Sequence, residues 1–388
     1  MRFTTCLPHP VAGALLCLSW LLCGCASAPP AMPPVLNDSD FAPAVMIDSA
    51  AVLAPSEAMR RYVQSGKLNS ARGGNPRHAL YRALYDQADL QLEYDAEMTR
   101  NASETFAARS GNCLSLVLMT ASLARQMGLT VRYQEVLNQE SWSRSGDMLF
   151  VAGHVNLVLG RRAAASANSY EADASLVIDF LPSRDAAGYR TREIGEETVL
   201  AMYMNNRAAE TMSRGQLHLA YWWARAAIAH DPAFSSAYNT LAIIQLRHGN
   251  PDAGRQTLAH ALERAPDNTV LLANLAQALE SAGMAQQAAP LRQRLLALQP
   301  QPPFYYFNQG KDALQRGDAI AAIRLFMREL ARDPQYHEFH FWLAQAYAQL
   351  GQWPQADQQL QLAMAHSLTR SEHGLYAGKL ARLRASGR

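Results

Sequence analysis

A repeat of 34 residues runs through the second half of the chain and limits what that half can fold into. The glycines at this spacing are Gly215, Gly249, Gly283, Gly317 and Gly351, and the prolines are Pro232, Pro266, Pro300 and Pro334. Small residues keep the same register at 208, 242, 276, 310 and 344 and at 220, 254, 288, 322 and 356. Apolar residues at i, i+3, i+4 and i+7 on both sides of the glycines predict two amphipathic helices per repeat. The glycine ends the first helix and the proline ends the second, so the sequence predicts stacked helical hairpins over 201–370.

This pattern resembles the tetratricopeptide repeat in its length, turn glycine, small residues and closing proline, although Leu295 and Glu329 stand where the family usually has Ala. The resemblance implies an all-α, right-handed solenoid whose concave face binds a protein or peptide. An array that only caps and rigidifies the preceding domain is the alternative. Candidate groove residues, which at such positions more often pack in the core, are Tyr238, Tyr305, Tyr306, His340 and Trp342.

The first 24 residues have the features of an export signal. Arg2 is followed by an apolar run at 11–22 that is too short to span a membrane. The run ends in Leu-Cys-Gly-Cys, which resembles a bacterial lipobox with cleavage before Cys25 and a lipid on that residue. An ordinary secretory signal cleaved near residues 26–28 is the alternative.

A lipid on Cys25 would anchor the chain to a membrane. The residue after it is Ala26 rather than Asp, which favours the outer membrane, with the protein facing the periplasm. The proline-rich stretch at 25–44 is predicted to be an extended tether.

Cysteine content and charge exclude several classes of protein. Four of the five cysteines lie in the first 25 residues, so export and lipidation leave Cys113 as the only free thiol. Loss of Arg2 with the signal lowers the formal charge from +2 to +1, which is no excess for nucleic acid. The histidines lack metal-ligand spacing and no glycine loop is suited to phosphate, so we expect neither a metal nor a cofactor.

Residues 45–200 lack the repeat and are predicted to form an α+β domain. Helices are expected at 55–66, at 76–94 and from Cys113 to a stop at Gly128. Alternating apolar residues predict strands at 129–136, 150–160 and 175–182, with a polar loop around Trp142 between the first two.

Cys113 stands at the predicted start of its helix. Unpaired N–H groups and the helix dipole favour a thiolate there, and the same N–H groups can stabilise an oxyanion. Gly111 would let the backbone approach a substrate closely. Asn112 is expected to cap the helix, with a contribution to the oxyanion site as the alternative.

A histidine and an aspartate follow this cysteine on successive predicted strands. His154 suits the general base that a thiol nucleophile needs, and Asp179 suits the acceptor that fixes the imidazole. If the strand register differs, Asp173 or Asp185 would take the place of Asp179. The other interpretation is a buried structural cysteine and a core histidine.

The stretches RSGNCLSLVLMTASLARQMGLTVRYQEV, GHVNLVL and VIDF together resemble the core of the transglutaminase-like superfamily, within the papain-like cysteine group. The resemblance implies a triad of Cys113 as nucleophile, His154 as base and acid, and Asp179 as orienting carboxylate. The residues outside the triad that fit the pattern are Arg125, Gly128 and Arg132. Those at which many family members differ are Val155, Asn156 and Phe180.

The sequence therefore predicts a transglutaminase-like domain, a solenoid of five repeats and a capping helix or tail at 371–388. The expected activity is cysteine-dependent acyl transfer on a protein or peptide recruited by the repeats. If water is the acyl acceptor, the protein is a peptidase or amidase, and bacterial relatives more often resemble this hydrolytic kind. If a lysine is the acceptor, the protein is a crosslinking transglutaminase. A non-catalytic binding scaffold is the main alternative, and a peptidoglycan amidase is supported by location alone.

Overall fold

The computed structural model describes residues 36–43, 47–66, 68, 75–86, 90–96, 98–145, 148–162, 175–180, 190–367 and 370–385. The predicted export signal, the lipidation site Cys25, and the substitutes Asp173 and Asp185 lie outside these residues. Within the described part, no helix combines the length and hydrophobicity needed to cross a bilayer.

The first part of the described chain combines short helices with a four-stranded sheet. The helices are α1 (Ala50–Leu53), α2 (Glu57–Gln64), α3 (Pro76–Tyr85), α4 (Ala102–Ala108) and α5 (Cys113–Gln126). A two-stranded parallel pair consists of β1 (Glu93–Tyr94) and β2 (Ser110–Gly111). The antiparallel sheet consists of β3 (Leu129–Ser145), β4 (Met148–Arg162), β5 (Leu176–Ile178) and β6 (Thr191–Ile194) in the order β5-β4-β3-β6.

The secondary structure differs from the sequence prediction at three places. Helix α3 ends at Tyr85, and the end of the predicted helix forms β1 instead. The loop predicted around Trp142 is wrong, because β3 and β4 continue as a long hairpin with a register shift between Val136 and Glu140. Strand β6 was not predicted. All three differences concern strands whose stability comes from backbone pairing with a neighbour, which side-chain alternation alone does not reveal.

Helix α5 is the central element of this part. Every residue from Leu114 to Ala124 is buried. The helix contacts α1, α2 and α4 on one side and strands β3 and β4 on the other. A helix that is surrounded by other elements needs apolar residues on all of its faces, which explains the largely apolar sequence of α5. The core thus fixes the position of α5 and, with it, of the thiol at its first residue.

The second part consists of paired antiparallel helices, as the 34-residue period predicts. The pairs are α6 (Glu196–Ser213) with α7 (Leu217–His230), α8 (Ser235–His248) with α9 (Pro251–Arg264), α10 (Thr269–Ser281) with α11 (Ala285–Leu298), α12 (Tyr305–Gln315) with α13 (Ala319–Leu330), and α14 (His337–Gln349) with α15 (Trp353–Ala365). The five periodic glycines all have positive φ, between 74° and 94°. A further helix, α16 (Arg370–Ala385), packs on α15.

The periodic small residues lie where the two helices of a pair approach each other. A Cβ at Gly310 would lie 2.6 Å from a ring carbon of Phe326, and one at Gly254 would lie 2.6 Å from Cγ of Leu246. Because both neighbours are large core side chains, any larger residue at these two positions would force the helices apart.

The two parts share one hydrophobic core. A continuous cluster of buried side chains extends from Phe41 through α5 and the sheet to Ala288 in α11. Helix α6 runs without a break across residue 200, where the domain boundary is predicted. Strand β4 also contacts α8 and α10, the first helices of the second and third pairs. The sheet is therefore supported by the first half of the repeat array.

Residues 36–43, which we call the N-terminal strap, bind to the first two helix pairs. The Phe41 ring stacks on Tyr221 with centroids 3.8 Å apart. The Asp38 carboxylate accepts hydrogen bonds from the Tyr221 hydroxyl at 2.6 Å and from Arg225 Nε at 2.8 Å. The sequence predicts an extended tether at 25–44. Residues 36–43, the part of it that the structure describes, are instead held in place by side-chain contacts.

Candidate functional site

The candidate site is built around Cys113, the first residue of α5. Its thiol is free and half-buried. The cysteine begins a helix of 14 residues, so its N–H is among the backbone donors that a helix leaves without an internal partner. A sulfur here lies in the positive field of the helix terminus, as the sequence predicts.

Asn112 acts as the cap of this helix. Its Oδ1 accepts the Ser115 backbone N–H at 2.9 Å, and its Nδ2 donates to Thr99 Oγ1 at 2.8 Å. Both ends of the amide are therefore engaged within the protein. The cap predicted from the sequence is therefore present, and one Nδ2 hydrogen is directed at Thr99.

Gly111, the residue before the cap, is a glycine for a different reason from the predicted one. A Cβ at Gly111 would lie 2.6 Å from Cβ of Ser115 and 3.3 Å from Thr105 Cγ2. Ser115 is itself fixed, since its hydroxyl accepts the Arg100 backbone N–H at 2.9 Å. Gly111 is thus required by packing inside the protein rather than by the approach of a substrate.

The structure brings His154 and Asp179 together. His154 lies on β4, and Asp179 follows the last residue of β5, the strand that pairs with β4. His154 Nε2 is 2.7 Å from Asp179 Oδ1. The pairing of Leu157 with Ile178, continued by one residue, sets Asp179 opposite Asn156 and diagonal to His154. Adjacent antiparallel strands were predicted to give this placement.

The His154 ring is only 5% exposed. Burial alone would lower its pKa, but the hydrogen bond to Asp179 and the interactions with Cys113 outweigh burial and raise the pKa from 6.5 to about 9. Nδ1 is buried and makes no standard hydrogen bond with the described residues. Since Asp179 occupies Nε2, Nδ1 is the ring nitrogen that is left to exchange a proton with the thiol.

Asn156 and Tyr85 hold Asp179 in place, and neither was predicted from the sequence to be a site residue. Asn156 Nδ2 donates to Asp179 Oδ2 at 3.1 Å. The Tyr85 hydroxyl accepts the Asp179 N–H at 3.2 Å and donates to its carbonyl oxygen. Asn156 lies two residues after His154 on the same face of a strand, a signal that could have identified it. Tyr85 is 94 residues from Asp179 and has no such signal.

Tyr94 lies beside the nucleophile. Its hydroxyl lies near Cys113, where the backbone N–H and the sulfur influence it. Burial of the hydroxyl end and the negative charge at Cys113 raise the pKa of Tyr94 above its ordinary range. The residue as a whole is 39% exposed, although burial acts on its hydroxyl.

The two arginines that fit the family pattern bind outside the triad. Arg125 contacts the Glu196 carboxylate and lies 3.3 Å from the Tyr133 hydroxyl. Arg132 lies 3.3 Å from Glu193 in an exposed ion pair. Among the described residues, no group of three or more His, Cys, Asp or Glu side chains is arranged to hold a metal ion.

Most of the candidate groove residues pack inside the repeat array. Tyr238 donates to the carbonyl oxygen of Pro232, and the buried His340 lies 2.9 Å from that of Pro334. The Arg328 guanidinium stacks on the ring of the buried Tyr306. Tyr305 is exposed, and the half-buried Trp342 has Lys311 Nζ 5.0 Å from its ring centre. These last two are the accessible members of the predicted set.

Comparison with known proteins identifies the repeats. A family model described as tetratricopeptide repeat matches residues 313–374. The chain therefore contains tetratricopeptide repeats, and the predicted helical solenoid is confirmed. No curated protein matches the chain.

Solved structures similar to this chain include two that are described as tetratricopeptide repeat proteins. YrrB, a repeat protein with an unusual peptide-binding site, is 20% identical and covers 48% of this chain and 94% of its own, with a TM-score of 0.26. A protein of Thermus thermophilus is 18% identical, covering 47% and 99%, with a TM-score of 0.31. PilF of Pseudomonas aeruginosa is 18% identical, covering 49% and 87%, with a TM-score of 0.31.

Proposed function

We propose that this protein is a transglutaminase-like cysteine peptidase or amidase with a papain-like catalytic domain. Cys113 is the nucleophile, His154 the base and acid, and Asp179 the orienting carboxylate. The observation that carries the proposal is the arrangement of three groups: a thiol at a helix N-terminus, a buried imidazole that interacts with it, and a carboxylate 2.7 Å from the far ring nitrogen.

The raised pKa of His154 favours a resting pair in which Nδ1 already holds the thiol proton, and the reaction begins when the thiolate attacks the carbonyl carbon of an amide. The carbonyl electron pair moves to the oxygen, and the N-terminus of α5 stabilises the resulting negative charge. The pair then returns and expels the amine, which takes its proton from His154, and a thioester to Cys113 remains. His154 next removes a proton from water, the hydroxide attacks the thioester, and a carboxylic acid leaves as the thiol reforms.

Asp179 keeps the imidazole in the orientation that this cycle needs. Its Oδ1 binds Nε2 and favours the tautomer with the proton there, so that Nδ1 is free to accept from the thiol. Asn156 on Oδ2 and Tyr85 on the backbone fix the carboxylate in turn. These contacts support the interpretation of His154 as a prearranged base rather than as a core histidine whose hydrogen bonds serve only the fold.

The repeats would recruit or position a protein substrate, which fits their identification as tetratricopeptide repeats. A binding scaffold without catalysis is the second candidate, and the repeat match favours it directly. The remaining accessible surface for a peptide includes Tyr305, Lys311 and Trp342 on α12 and α14. The anchor and location are proposed from the sequence alone, as a lipid on Cys25 at the periplasmic face of the outer membrane.

Two reactions of the full-length protein test the catalytic proposal. Iodoacetamide alkylates a reactive thiol, and p-nitrophenyl acetate acylates a catalytic one with release of p-nitrophenolate. We expect Cys113 to be both alkylated and acylated at pH 6 to 7, with each rate at least 10-fold lower in His154→Ala, since the base is worth on the order of 10²-fold. The exposed His373→Ala is the matched control, and Cys113→Ala gives the background from the other cysteines.

A wild-type protein acylated no faster than Cys113→Ala would overturn the catalytic proposal and leave the scaffold. Added glycine ethyl ester separates the two acyl acceptors. Faster turnover with the amine would point to a transglutaminase, whereas turnover that is independent of it supports hydrolysis.

A further inference from the structure

Tyr94 is placed beside Cys113 by backbone pairing. Strand β1 runs parallel to β2, with Tyr94 opposite Gly111. The next residue, Asp95, donates its N–H to the Gly111 carbonyl oxygen at 3.0 Å. The strand pair therefore fixes Tyr94 alongside the turn that leads into α5, two residues before the nucleophile.

The Tyr94 hydroxyl lies near the backbone N–H and the sulfur of Cys113, both of which influence it. That N–H stands beside the sulfur, where the oxygen of an attacked carbonyl must come to lie. A tetrahedral oxyanion usually needs two donors. The Asn112 amide is held by Ser115 and Thr99, whereas the pairing of β1 with β2 brings a second side-chain donor, the Tyr94 hydroxyl, to this place.

We propose that the Tyr94 hydroxyl is the second donor of the oxyanion site, with the Cys113 N–H as the first. The inference deepens the proposed acyl transfer and rests on it. As the bond from sulfur to carbon forms, the carbonyl oxygen accepts the Cys113 N–H. The Tyr94 O–H turns to donate to the same oxygen and keeps its proton throughout the step.

Two properties of Tyr94 suit this role. Its raised pKa keeps the phenol protonated, and so able to donate, at any pH at which the thiol is active. The partial exposure of the residue leaves room for its side chain to adjust when a substrate enters.

The test compares two reactions of Cys113 in the full-length Tyr94→Phe protein. Acylation by p-nitrophenyl acetate passes through an oxyanion, whereas alkylation by iodoacetamide does not. We expect acylation to slow roughly 10- to 100-fold and alkylation to change by less than about 2-fold, since one oxyanion donor is lost and the thiol is untouched. Tyr81→Phe, an exposed tyrosine on α3, is the control and should change neither rate.

Equal slowing of both reactions would overturn the inference, because Tyr94 would then act on the thiol rather than on the oxyanion. Unchanged rates for both would overturn it as well. If Tyr94→Phe lowers the melting temperature, Tyr94→Gln, which restores an N–H donor, should acylate faster than Tyr94→Phe. Failure of the wild-type protein to be acylated at all refutes the proposed function instead, so the two failures are distinguishable.

Discussion

His154 Nε2 lies 2.7 Å from Asp179 Oδ1, although 25 residues separate them in the chain. The pairing of β4 with β5 produces this contact, and Asn156 and Tyr85 hold the aspartate in place. The contact orients the imidazole so that its other nitrogen is available to Cys113.

The Asp179 carboxylate should keep His154 protonated well above neutral pH. The raised pKa of about 9, against 6.5 when unfolded, means that the contribution to stability is complete below pH 6.5 and is lost as the pH rises through 9. This contribution amounts to roughly 3 kcal/mol at most. In Asp179→Asn, an NMR titration of the His154 ring should give a lower midpoint, and the stability difference from wild type should shrink between pH 6 and pH 10. An unchanged midpoint would show that Asp179 does not control the imidazole.

Loss of the Tyr85 hydroxyl should loosen Asp179. Tyr85→Phe removes the group that bonds both the N–H and the carbonyl oxygen of this residue. We expect a loss of about 1 kcal/mol in the free energy of unfolding and slower acylation of Cys113 by the ester. Tyr81→Phe, one turn earlier on the same helix, should stay within about 0.5 kcal/mol of wild type in urea denaturation. Equal effects of the two changes would contradict the assigned role.

Replacing Glu329 by the alanine usual in the family should destabilise the fourth repeat. Glu329 is 2% exposed, and its Oε2 accepts the N–H groups of Tyr306 and Phe307 at 2.8 and 3.1 Å, at the start of α12. Glu329→Ala leaves both donors buried without a partner, so we expect a cost of about 1 to 3 kcal/mol. Glu329→Gln keeps an acceptor and should cost less. Thermal unfolding of both variants measures the difference, and a stabilising alanine would refute the capping role.

The N-terminal strap should contribute to stability. Phe41 is 3% exposed and stacks on Tyr221, so Phe41→Ala should lower the free energy of unfolding by about 3 kcal/mol. Leu36→Ala, an exposed residue of the same strap, should change it by less than about 0.5 kcal/mol. Chemical denaturation of both variants measures the free energy of unfolding. A Phe41→Ala protein as stable as wild type would mean that the strap is a free tether after all.

The proposed lipid anchor depends on one of two neighbouring cysteines. Cys25→Ala should abolish incorporation of an alkyne-labelled palmitate in a bacterial host and release the protein from the membrane fraction. Cys23→Ala is the matched control and should be labelled like wild type, because alanine is acceptable at that position of a lipobox. Labelling that persists in Cys25→Ala would favour a different processing site.

Local chemistry makes some features predictable from the sequence alone. The repeat array follows from glycines, prolines and small residues in one register, because each type has a backbone or packing role that recurs with the period. The start of α5 at Cys113 and the strands that carry His154 and Asp179 follow from apolar periodicity. These features depend on residues that are close together in the chain, so local sequence patterns are enough to predict them.

Contacts between distant segments were decided only by the tertiary structure. The extension of the β3–β4 hairpin and the addition of β6 depend on backbone pairing with a neighbouring strand, which side-chain periodicity does not encode. The support of Asp179 by Tyr85, the placement of Tyr94 at the Cys113 N–H and the binding of Phe41 to Tyr221 each join segments far apart in sequence. The sequence determined the nucleophile, the base and the carboxylate as candidates, and the packing of strands and helices decided which groups surround them.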